Sequence, residues 1–381
     1  MTPWNDAYRG RRVLVTGHTG FKGGWLSLWL SELGADVTGY SLPPLTEPNL
    51  FSAAGIAGRV RHVEGDVRDL AALRRAWLVC RPDVVFHLAA QPIVRESSRN
   101  PVDTVTTNVV GTTHVLELAR ESPAPVALVC VTSDKCYDNV EWAYGYREDD
   151  RLGGADVYSG SKAAAEVIVS SYQRTFFTSV DRPAVASARA GNVIGGGDWA
   201  ADRIVPDCIR ALTAGRTIDV RNPEAVRPWQ HVLEPLSGYL TLGALLQQRD
   251  PAGIAARGPW NFGPTIPNAR VAPHHRQGAD APRLAPAVGL RRGDQAHRRL
   301  VQGILRGRGR RRPCVGSDRG LHAARSGRCP GRLTVASRAS RSGRSPSSPT
   351  SAARFCTCCG PTRRIFSSSA RSISASSIPA A

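Results

Sequence analysis

The sequence predicts an α/β fold, a doubly wound parallel sheet with helices on both faces. Three observations support this prediction. Short apolar runs alternate with longer amphipathic segments over residues 12–264, which is typical of strands joined by helices. A glycine-rich turn follows the first apolar run. Polar segments follow two later runs, as ligand-binding loops do at the carboxyl edge of such sheets.

The first strand, helix and second strand are predicted at residues 12–16, 24–33 and 35–40. Further strands are predicted at 60–64, 83–88, 126–131 and 183–189, and helices at 70–79, 101–121, 158–177, 203–214 and 234–248. Pro101 opens its helix at a position where helices accept proline. Segment 260–264 is the last element that we expect to be ordered.

The turn after the first strand reads Gly17-His-Thr-Gly20-Phe-Lys-Gly23. Between a strand and a helix, such a turn points backbone N–H groups at a pyrophosphate. The alternative is a tight turn that only needs positive φ. The flanking elements favour a dinucleotide site of the Rossmann type. Lys22 either contacts the cofactor or points to solvent.

The carboxylate that usually selects NAD after the second strand is missing, because Gly39-Tyr-Ser-Leu42 stands there. Ser41 can hydrogen-bond a ribose hydroxyl or tolerate a 2′-phosphate. This position therefore leaves both NAD and NADP open. In the turn Gly65-Asp66-Val67, Asp66 either receives the adenine amino group or only forms the turn. Ala89 and Asn108 are placed at the same edge of the sheet.

Residues Thr132, Ser133, Asp134 and Lys135 follow the fifth strand directly. A hydroxyl, a carboxylate and an amine at the carboxyl end of a strand can act as hydrogen-bond donor, acid and base. An ordinary polar loop is the alternative.

Tyr158 and Lys162 are four residues apart in a predicted helix, so both side chains can lie on one face. A tyrosine has a pKa near 10, and lowering it by about three units takes about 4 kcal/mol. A lysine cation and an oxidised nicotinamide ring can supply this stabilisation. The alternative is a solvated surface pair. Lysine usage favours the chemical interpretation. Of 50 basic residues only Lys22, Lys135 and Lys162 are lysines, and only lysine readily loses its proton.

The net charge of +19 suggests a nucleic-acid or membrane partner, but the distribution of charge argues against it. Residues 1–267 hold 27 Lys and Arg against 28 Asp and Glu, whereas residues 268–381 hold 23 Arg, no Lys, 3 Asp and no Glu. All eight Trp and all eight Tyr lie in the first part. The chain therefore joins two different kinds of polypeptide.

Segment 268–381 is rich in Arg, Ser, Pro and Gly and has little apolar periodicity, so we expect disorder. Its basic runs at 306–313 and 337–350 lack the interleaved aromatics that stack on bases. We therefore do not expect a nucleic-acid partner, although a tail-mediated nucleic-acid binder is the alternative from another functional class. We hypothesise that the segment is an out-of-frame translation of a GC-rich gene; an unusual natural extension is the alternative.

The nine cysteines are scattered, which fits a reduced, cytoplasmic setting. Cys356, Cys358 and Cys359 are too close together, and too far from His, to resemble a zinc site, so no metal is expected. The N-terminus resembles neither a signal peptide nor an anchor. No apolar stretch approaches the roughly 18 residues that span a bilayer, so no membrane partner is expected.

Four segments resemble the extended short-chain dehydrogenase/reductase superfamily, and within it the NAD-dependent nucleotide-sugar epimerase/dehydratase family. They are 17–23, 133–137, 189–199 (Arg-Ala-Gly-Asn-Val-Ile-Gly-Gly-Gly-Asp-Trp) and 227–232 (Arg-Pro-Trp-Gln-His-Val). The glycine turn and the Tyr158/Lys162 spacing are shared widely, whereas Asp134-Lys135 and the glycine run before Trp199 are more specific. The resemblance covers about residues 9–264.

The resemblance implies a lyase that dehydrates CDP-glucose to CDP-4-keto-6-deoxyglucose in deoxysugar synthesis for polysaccharide. Hydride leaves C4 for NAD, water is eliminated across C5 and C6, and hydride returns to C6. Tyr158 is then the base for the 4-OH, assisted by Lys162, and Ser133 donates to the C4 oxygen, with Thr132 as the alternative donor. Lys135 as the C5 base and Asp134 as the acid for the 6-OH remain hypotheses.

The remaining site residues also come from the resemblance. The cofactor set is Gly17, Gly20, Phe21, Gly23, Asp66, Val67, Ala89 and Asn108. The substrate set is Asn192, Arg203, Arg227 and His231. We expect Arg227 to bind the diphosphate, while His231 is either a substrate ligand or a core histidine. A homo-oligomer is also implied.

The expected domains are an NAD-binding domain at 1–190, substrate-lobe segments with late sheet elements at 191–267, and the tail at 268–381. The family continues beyond the segment Asn261-Phe-Gly-Pro264 with a folded part that the tail does not resemble. With this tail, we expect reduced stability and doubtful activity. Alternatives are another NAD(P)-dependent nucleotide-sugar epimerase or dehydratase, or an inactive cofactor-binding remnant.

Overall fold

The structure, a computed structural model, describes residues 4, 6–140, 145–218, 220, 226–264 and 269–270. The predicted tail therefore lies outside the described residues, apart from Ala269 and Arg270. The expectation of disorder there is not tested by the structure.

Seven strands form one sheet: β1 Arg12–Thr16, β2 Asp36–Ser41, β3 Arg61–Glu64, β4 Val84–His87, β5 Ala127–Val131, β6 Ala184–Ala190 and β10 Gly258–Phe262. Their order across the sheet is β10-β6-β5-β4-β1-β2-β3. Each neighbouring pair is parallel, which confirms the predicted doubly wound sheet. The order reverses at β1, between β2 and β4, and ligands bind such folds in the crevice at this switch point.

Ten helices are described: α1 Phe21–Glu32, α2 Leu50–Ala53, α3 Leu70–Cys80, α4 Val94–Arg99, α5 Pro101–Val105, α6 Gly111–Glu121, α7 Val157–Thr175, α8 Ile204–Thr213, α9 Leu233–Leu246 and α10 Pro251–Ala255. Asp69, Asp156 and Asp250 cap α3, α7 and α10 by accepting a hydrogen bond from the backbone three residues later. These caps determine where each helix begins.

The predicted helix 101–121 contains a π-helical turn over Thr106–Val110, between α5 and α6. The hydrophobic pattern does not reveal this turn, because both sides of it remain helical. Such turns are frequent at functional sites. Here the turn contains Asn108, whose side chain is buried.

Helices cover both faces of the sheet. On one face, Leu14, Val85 and Leu128 of three neighbouring strands belong to a cluster that includes Leu73 of α3 and Leu116 of α6. On the other face, α9 packs against β5 and β6. The hydroxyl of Tyr8 donates to the Leu240 carbonyl of α9 at 2.5 Å. The strands are therefore buried on both sides, which explains their nearly continuous apolar sequences.

Two small strand pairs lie outside the main sheet. β7 (Val193–Ile194) pairs in parallel with β9 (Gln230–His231), and β8 (Val226–Arg227) pairs antiparallel with β11 (Ala269–Arg270). The expectation that 260–264 is the last ordered element is therefore wrong, since β11 follows it. Its backbone partner, β8, comes from a distant part of the chain that local sequence patterns do not identify.

No helix among the described residues is long and apolar enough to cross a membrane.

Candidate active site

The glycine turn lies at the switch point. Gly17 has φ +78°, and a Cβ there would stand 2.7 Å from the backbone nitrogen of Ala89, at the end of β4. A Cβ on Gly23 would stand 2.1 Å from the Gly17 carbonyl oxygen. Gly20 precedes α1 and carries no capping side chain. The crevice is therefore lined by backbone and opens onto the N-terminus of α1, which suits an anionic pyrophosphate.

Phe21 points toward a second glycine segment rather than into the sheet. Its ring lies 3.2 Å from the position of a Cβ on Gly195, and Trp25 Nε1 donates to the Gly196 carbonyl at 2.9 Å. The glycine run at 195–197 therefore packs directly on the cofactor turn.

Beyond the turn, Ser41 at the end of β2 is buried, and its hydroxyl lies 2.8 Å from that of Thr19. Thr19 also donates to the Leu42 carbonyl at 2.8 Å. Two hydroxyls, rather than a carboxylate, thus occupy the place where ribose selectivity is usually set.

Asp66 forms the turn after β3. Its carboxylate accepts from the Arg68 backbone at 2.9 Å and from Arg68 Nε at 2.8 Å. Burial raises the pKa of Asp66, but the hydrogen bonds from Arg68 outweigh this effect and the pKa is lowered. The side chain of Val67 is buried in the core, and its carbonyl oxygen lies 2.9 Å from His114 Nδ1. Of these two residues, Asp66 is the one with accessible polar atoms.

Asn108 links the segment that follows β4 to α7. Its Oδ1 accepts from the Gln91 backbone at 2.8 Å, and its Nδ2 donates to the Gln91 carbonyl at 3.1 Å and to Ser161 Oγ at 2.9 Å. Ser161 stands one residue before Lys162. Asn108 therefore holds the strand end beside Ala89 against the helix that carries the tyrosine and the lysine.

Tyr158 and Lys162 both lie on the buried face of α7, with 7% and 6% of their surfaces exposed. Asp156 positions this helix by accepting from the Ser159 backbone at 2.9 Å and from its hydroxyl at 2.7 Å. The Tyr158 backbone nitrogen donates to Ser97 Oγ of α4 at 3.2 Å. The pair is therefore part of the protein interior, and the alternative of a solvated surface pair does not describe it.

Ser133 follows β5, and its hydroxyl donates to Asp134 Oδ1 at 2.9 Å. Burial is the largest influence on the pKa of Tyr158, which is raised to about 12, while the nearby side chain of Ser133 and the charge of Arg203 act to lower it. The protein alone therefore keeps Tyr158 protonated at neutral pH, and further positive charge is needed for it to act as a base.

Thr132 faces away from Tyr158. Its hydroxyl donates to the carboxylate of Glu166, a buried residue of α7. The Thr132 hydroxyl therefore serves the Glu166 carboxylate, and Ser133 stays the predicted donor to the substrate.

Lys22 lies inside the site, so the alternative that it points to solvent does not hold. It is half-buried, and burial together with the charges of Arg203 and Lys162 lowers its pKa to about 8. The charges of Asp134 and Asp198 act in the opposite direction. Charges from α7, from the end of β5 and from residues 198–203 thus all act on this lysine of the glycine turn.

Asp134 lies against two residues from later in the chain, Gly191 and Pro228. A Cβ on Gly191 would stand 3.0 Å from Asp134 Oδ2 and 2.5 Å from Pro228 Cγ. Residue 191 must therefore be small for the segment beginning at Arg227 to approach the end of β5. Lys135 is half-buried in the same short turn, and its backbone nitrogen donates to Ser133 Oγ at 3.3 Å.

The four expected substrate residues are half-buried around this contact. The Asn192 carbonyl accepts from the Gln230 backbone at 3.0 Å, which joins its segment to His231. Arg203 donates to Asp198 at 2.9 Å, and its charge acts on both Tyr158 and Lys22. The structure thus places Arg203 at the site centre and Asn192 and His231 on one small sheet beside it. Arg227 belongs to β8, next to Pro228.

Among the described residues, no group of three or more His, Cys, Asp or Glu is arranged to hold a metal ion.

The family model described as GDP-mannose 4,6 dehydratase matches residues 14–257. The chain belongs to this family. The chain is 48% identical over 268 residues to the CDP-glucose 4,6-dehydratase of Salmonella typhimurium, and the match covers 69% of this chain and 74% of the relative.

Two solved structures that contain NAD resemble this chain in fold. MoeE5 in complex with UDP-glucose and NAD has a TM-score of 0.55 and 26% identity, covering 68% of this chain and 78% of that chain. DesIV, a dTDP-glucose 4,6-dehydratase from Streptomyces venezuelae with NAD and TYD bound, has a TM-score of 0.55 and 25% identity, covering 66% and 75%.

Two charged residues near this site, Glu166 and Arg189, are not among the predicted site residues. They form a buried ion pair of 2.8 Å, and Glu166 lies on the same helix as Tyr158 and Lys162. A glutamate one helical turn after Lys162, on the same face, was an available signal. The arginine that neutralises it lies on β6, and only the fold brings the two together.

Proposed function

We propose that the protein is an NAD-dependent CDP-glucose 4,6-dehydratase that produces CDP-4-keto-6-deoxyglucose. The observation that carries the proposal is the contact of Ser133 with Tyr158, beside Asp134 and within the electrostatic reach of the cofactor turn. The 48% identity to the Salmonella enzyme supports CDP-glucose as the substrate.

The residues present fit NAD. Gly17 and Gly23 leave a crevice that any larger residue would fill, and the N-terminus of α1 faces it. The hydroxyls of Thr19 and Ser41 offer partners for a ribose. When bound, NAD supplies a hydride acceptor for C4 and later a hydride donor for C6. The NAD in the two structural relatives supports this choice over NADP.

In the oxidation step, Tyr158 removes the proton of the 4-OH while the C4 hydride leaves. Ser133 donates to the developing carbonyl oxygen, which requires it to exchange its bond to Asp134 for one to the substrate. Lys162 remains protonated and favours the phenolate.

The 4-keto group makes the C5 proton acidic. Lys135 removes that proton, the C6–O bond breaks, and Asp134 gives a proton to the departing hydroxyl, which leaves as water. Protonated Lys135 then returns the proton to C5, and bound NAD would supply the hydride that C6 takes up. The short turn 134–136 holds both side chains next to Gly191, so acid and base can act on adjacent carbons of one sugar ring.

Arg203 and Arg227 are the proposed diphosphate ligands, with Asn192 and His231 as further substrate contacts. Arginine forks match phosphate oxygens in two parallel hydrogen bonds. We also propose a homo-oligomer. Exposed valines at 102, 105 and 110 of the α5–α6 segment, and at 167 of α7, support this, and light scattering of the purified chain tests it.

The direct test is turnover with CDP-glucose, compared with the dTDP, GDP and UDP sugars. Lys135→Met and Asp134→Asn are expected to keep bound NAD and to lose solvent-deuterium exchange at C5. Asp138→Asn is the matched control, because Asp138 lies in the same segment but pairs with Arg151 outside the site. Exchange that persists in Lys135→Met removes Lys135 as the base, and a C4-epimer product replaces the dehydratase proposal by an epimerase.

A further inference from the structure

A buried polar network lies directly beneath the tyrosine and lysine of α7. Glu166 and Arg189 are only 3% and 4% exposed. Glu166 Oε2 accepts from Arg189 Nη2 at 2.8 Å and from Ser187 Oγ at 2.7 Å, both on β6. Its other oxygen accepts from Thr132 at the end of β5. The carboxylate therefore has three protein donors and is held in one position.

Arg189 extends the network to the turn after β5 and, through it, to β10. Its Nη1 donates to the Tyr137 hydroxyl at 2.7 Å and to the Glu148 carbonyl at 3.0 Å, and its guanidinium lies 5.0 Å from the Tyr137 ring centre. The Tyr137 hydroxyl donates to Asn261 of β10 at 2.7 Å. The ion pair is thus fixed from β5, β6 and β10 at once.

Glu166 stands one helical turn after Lys162, on the same buried face of α7. Side chains four residues apart on a helix are neighbours. The ionisable groups that face Lys162 come from several elements, and they are Glu166 on α7, Cys130 on β5, Cys136 in the following turn, His87 on β4 and Lys22 on α1.

Among these groups, Glu166 is the one carboxylate. Burial raises the pKa of Cys130 and Cys136, so both thiols stay neutral. His87 is neutral as well, because burial lowers its pKa to about 3. Burial lowers the pKa of Lys162 to about 8, and Glu166 is the largest influence that opposes this.

We propose that Glu166, held by Arg189, is a positioning residue that keeps Lys162 protonated in the dehydratase site. This inference rests on the proposed function only for its consequence, which is the lowering of the Tyr158 pKa by the Lys162 cation. Arg189 supplies the opposite charge that a buried carboxylate needs, at 2.8 Å.

The geometry argues against a purely structural ion pair. A buried pair is often replaceable by apolar residues without loss of stability, so its location has to be explained. Here the carboxylate accepts from Thr132, which directly precedes Ser133, and it stands one helical turn after Lys162 on the buried face of α7. Glu166 therefore connects the helix that carries Lys162 to the strand end that carries Ser133.

The small number of lysines makes a direct test practicable. The chain contains Lys22, Lys135 and Lys162 and no other lysine, so the full-length protein labelled with 13Cε-lysine gives three signals. Lys162→Met identifies the Lys162 signal. Its titration is then followed in the wild type, in Glu166→Gln, in Glu166→Asp and in the double variant Glu166→Gln/Arg189→Met.

The matched control is Glu121→Gln. Glu121 is the last residue of α6 and pairs with Arg74 at the surface. Circular dichroism and thermal melting report whether each variant folds. The double variant removes both buried charges, so it keeps the test valid if the single variant Glu166→Gln does not fold.

We expect the Lys162 titration midpoint to fall by at least about one pH unit, a tenfold loss of proton affinity, in Glu166→Gln and in the double variant. Glu166→Asp is expected to restore most of the shift, and Glu121→Gln to leave the midpoint unchanged. An unchanged midpoint in the folded double variant overturns the inference. This measurement needs no turnover, so failure of the dehydratase proposal, seen as no reaction with CDP-glucose, is a separate result.

Discussion

Ser133 and Tyr158 are 25 residues apart in the chain, yet the end of β5 and the first turn of α7 bring them close enough for the Ser133 side chain to lower the pKa of Tyr158. Burial is the larger influence and raises that pKa to about 12. Ser133→Ala is therefore expected to weaken Tyr158 as a base and to remove the donor to the C4 oxygen. Loss of one such donor typically costs about 10²-fold or more in rate.

The measurement is kcat for CDP-glucose as a function of pH, with NAD binding followed by fluorescence. Ser171→Ala is the control, since that serine lies on the exposed side of the same helix and donates to the Val167 carbonyl. A Ser133→Ala enzyme with wild-type kcat and pH profile would contradict the assignment.

The buried charge of Lys162 is expected to lower the free energy of unfolding at neutral pH. Its pKa falls from 10.5 to about 8 on burial. Between these values the unfolded chain binds more protons than the folded one, so stability rises with pH. At pH 7 the charged lysine therefore costs the fold about 3 kcal/mol. Lys162→Met is expected to be inactive and more stable at pH 7 by up to that amount.

This gain should shrink by about 1 kcal/mol between pH 7 and pH 9, because wild-type Lys162 becomes neutral in the folded state above its pKa. Urea unfolding at the two pH values measures it. A constant difference would mean that Lys162 does not titrate with the lowered pKa.

The glycine turn depends on the absence of side chains. Gly23→Ala would place a Cβ 2.1 Å from the Gly17 carbonyl oxygen, and Gly17→Ala adds the strain of φ +78°. Both variants are expected to lose at least tenfold in NAD affinity, or about 1.4 kcal/mol, measured by titration calorimetry. Gly58→Ala is the control, as a Cβ there meets nothing within 4 Å.

The Glu166–Arg189 pair should show strong coupling. Arg189→Met leaves a carboxylate buried without its cation and is expected to destabilise the fold by about 3–5 kcal/mol. Adding Glu166→Gln should recover a large part of this loss. A double-mutant cycle by urea unfolding measures the coupling, and additive effects would show that the two charges do not depend on each other.

The change in composition at residue 268 has a test at the level of DNA. If the basic segment is out of frame, reading the coding DNA one nucleotide over after codon 267 should yield acidic residues together with Trp and Tyr. Neither shifted frame doing so would refute the frameshift hypothesis. Thermal melting of the full chain with NAD checks the expected loss of stability, which a cooperative transition at high temperature would contradict.

The sequence alone determined the alternation of strands and helices, the glycine turn, and the pairing of Tyr158 with Lys162 on one helical face. These features are local, because hydrophobic period and helical spacing are properties of neighbouring residues. Only the tertiary structure decided that Lys22 reaches the charges of Asp134 and Asp198, that Thr132 donates to Glu166, and that Arg189 neutralises Glu166. Charge and hydrogen bonding between distant segments depend on burial and distance, and both exist only after the sheet has brought those segments together.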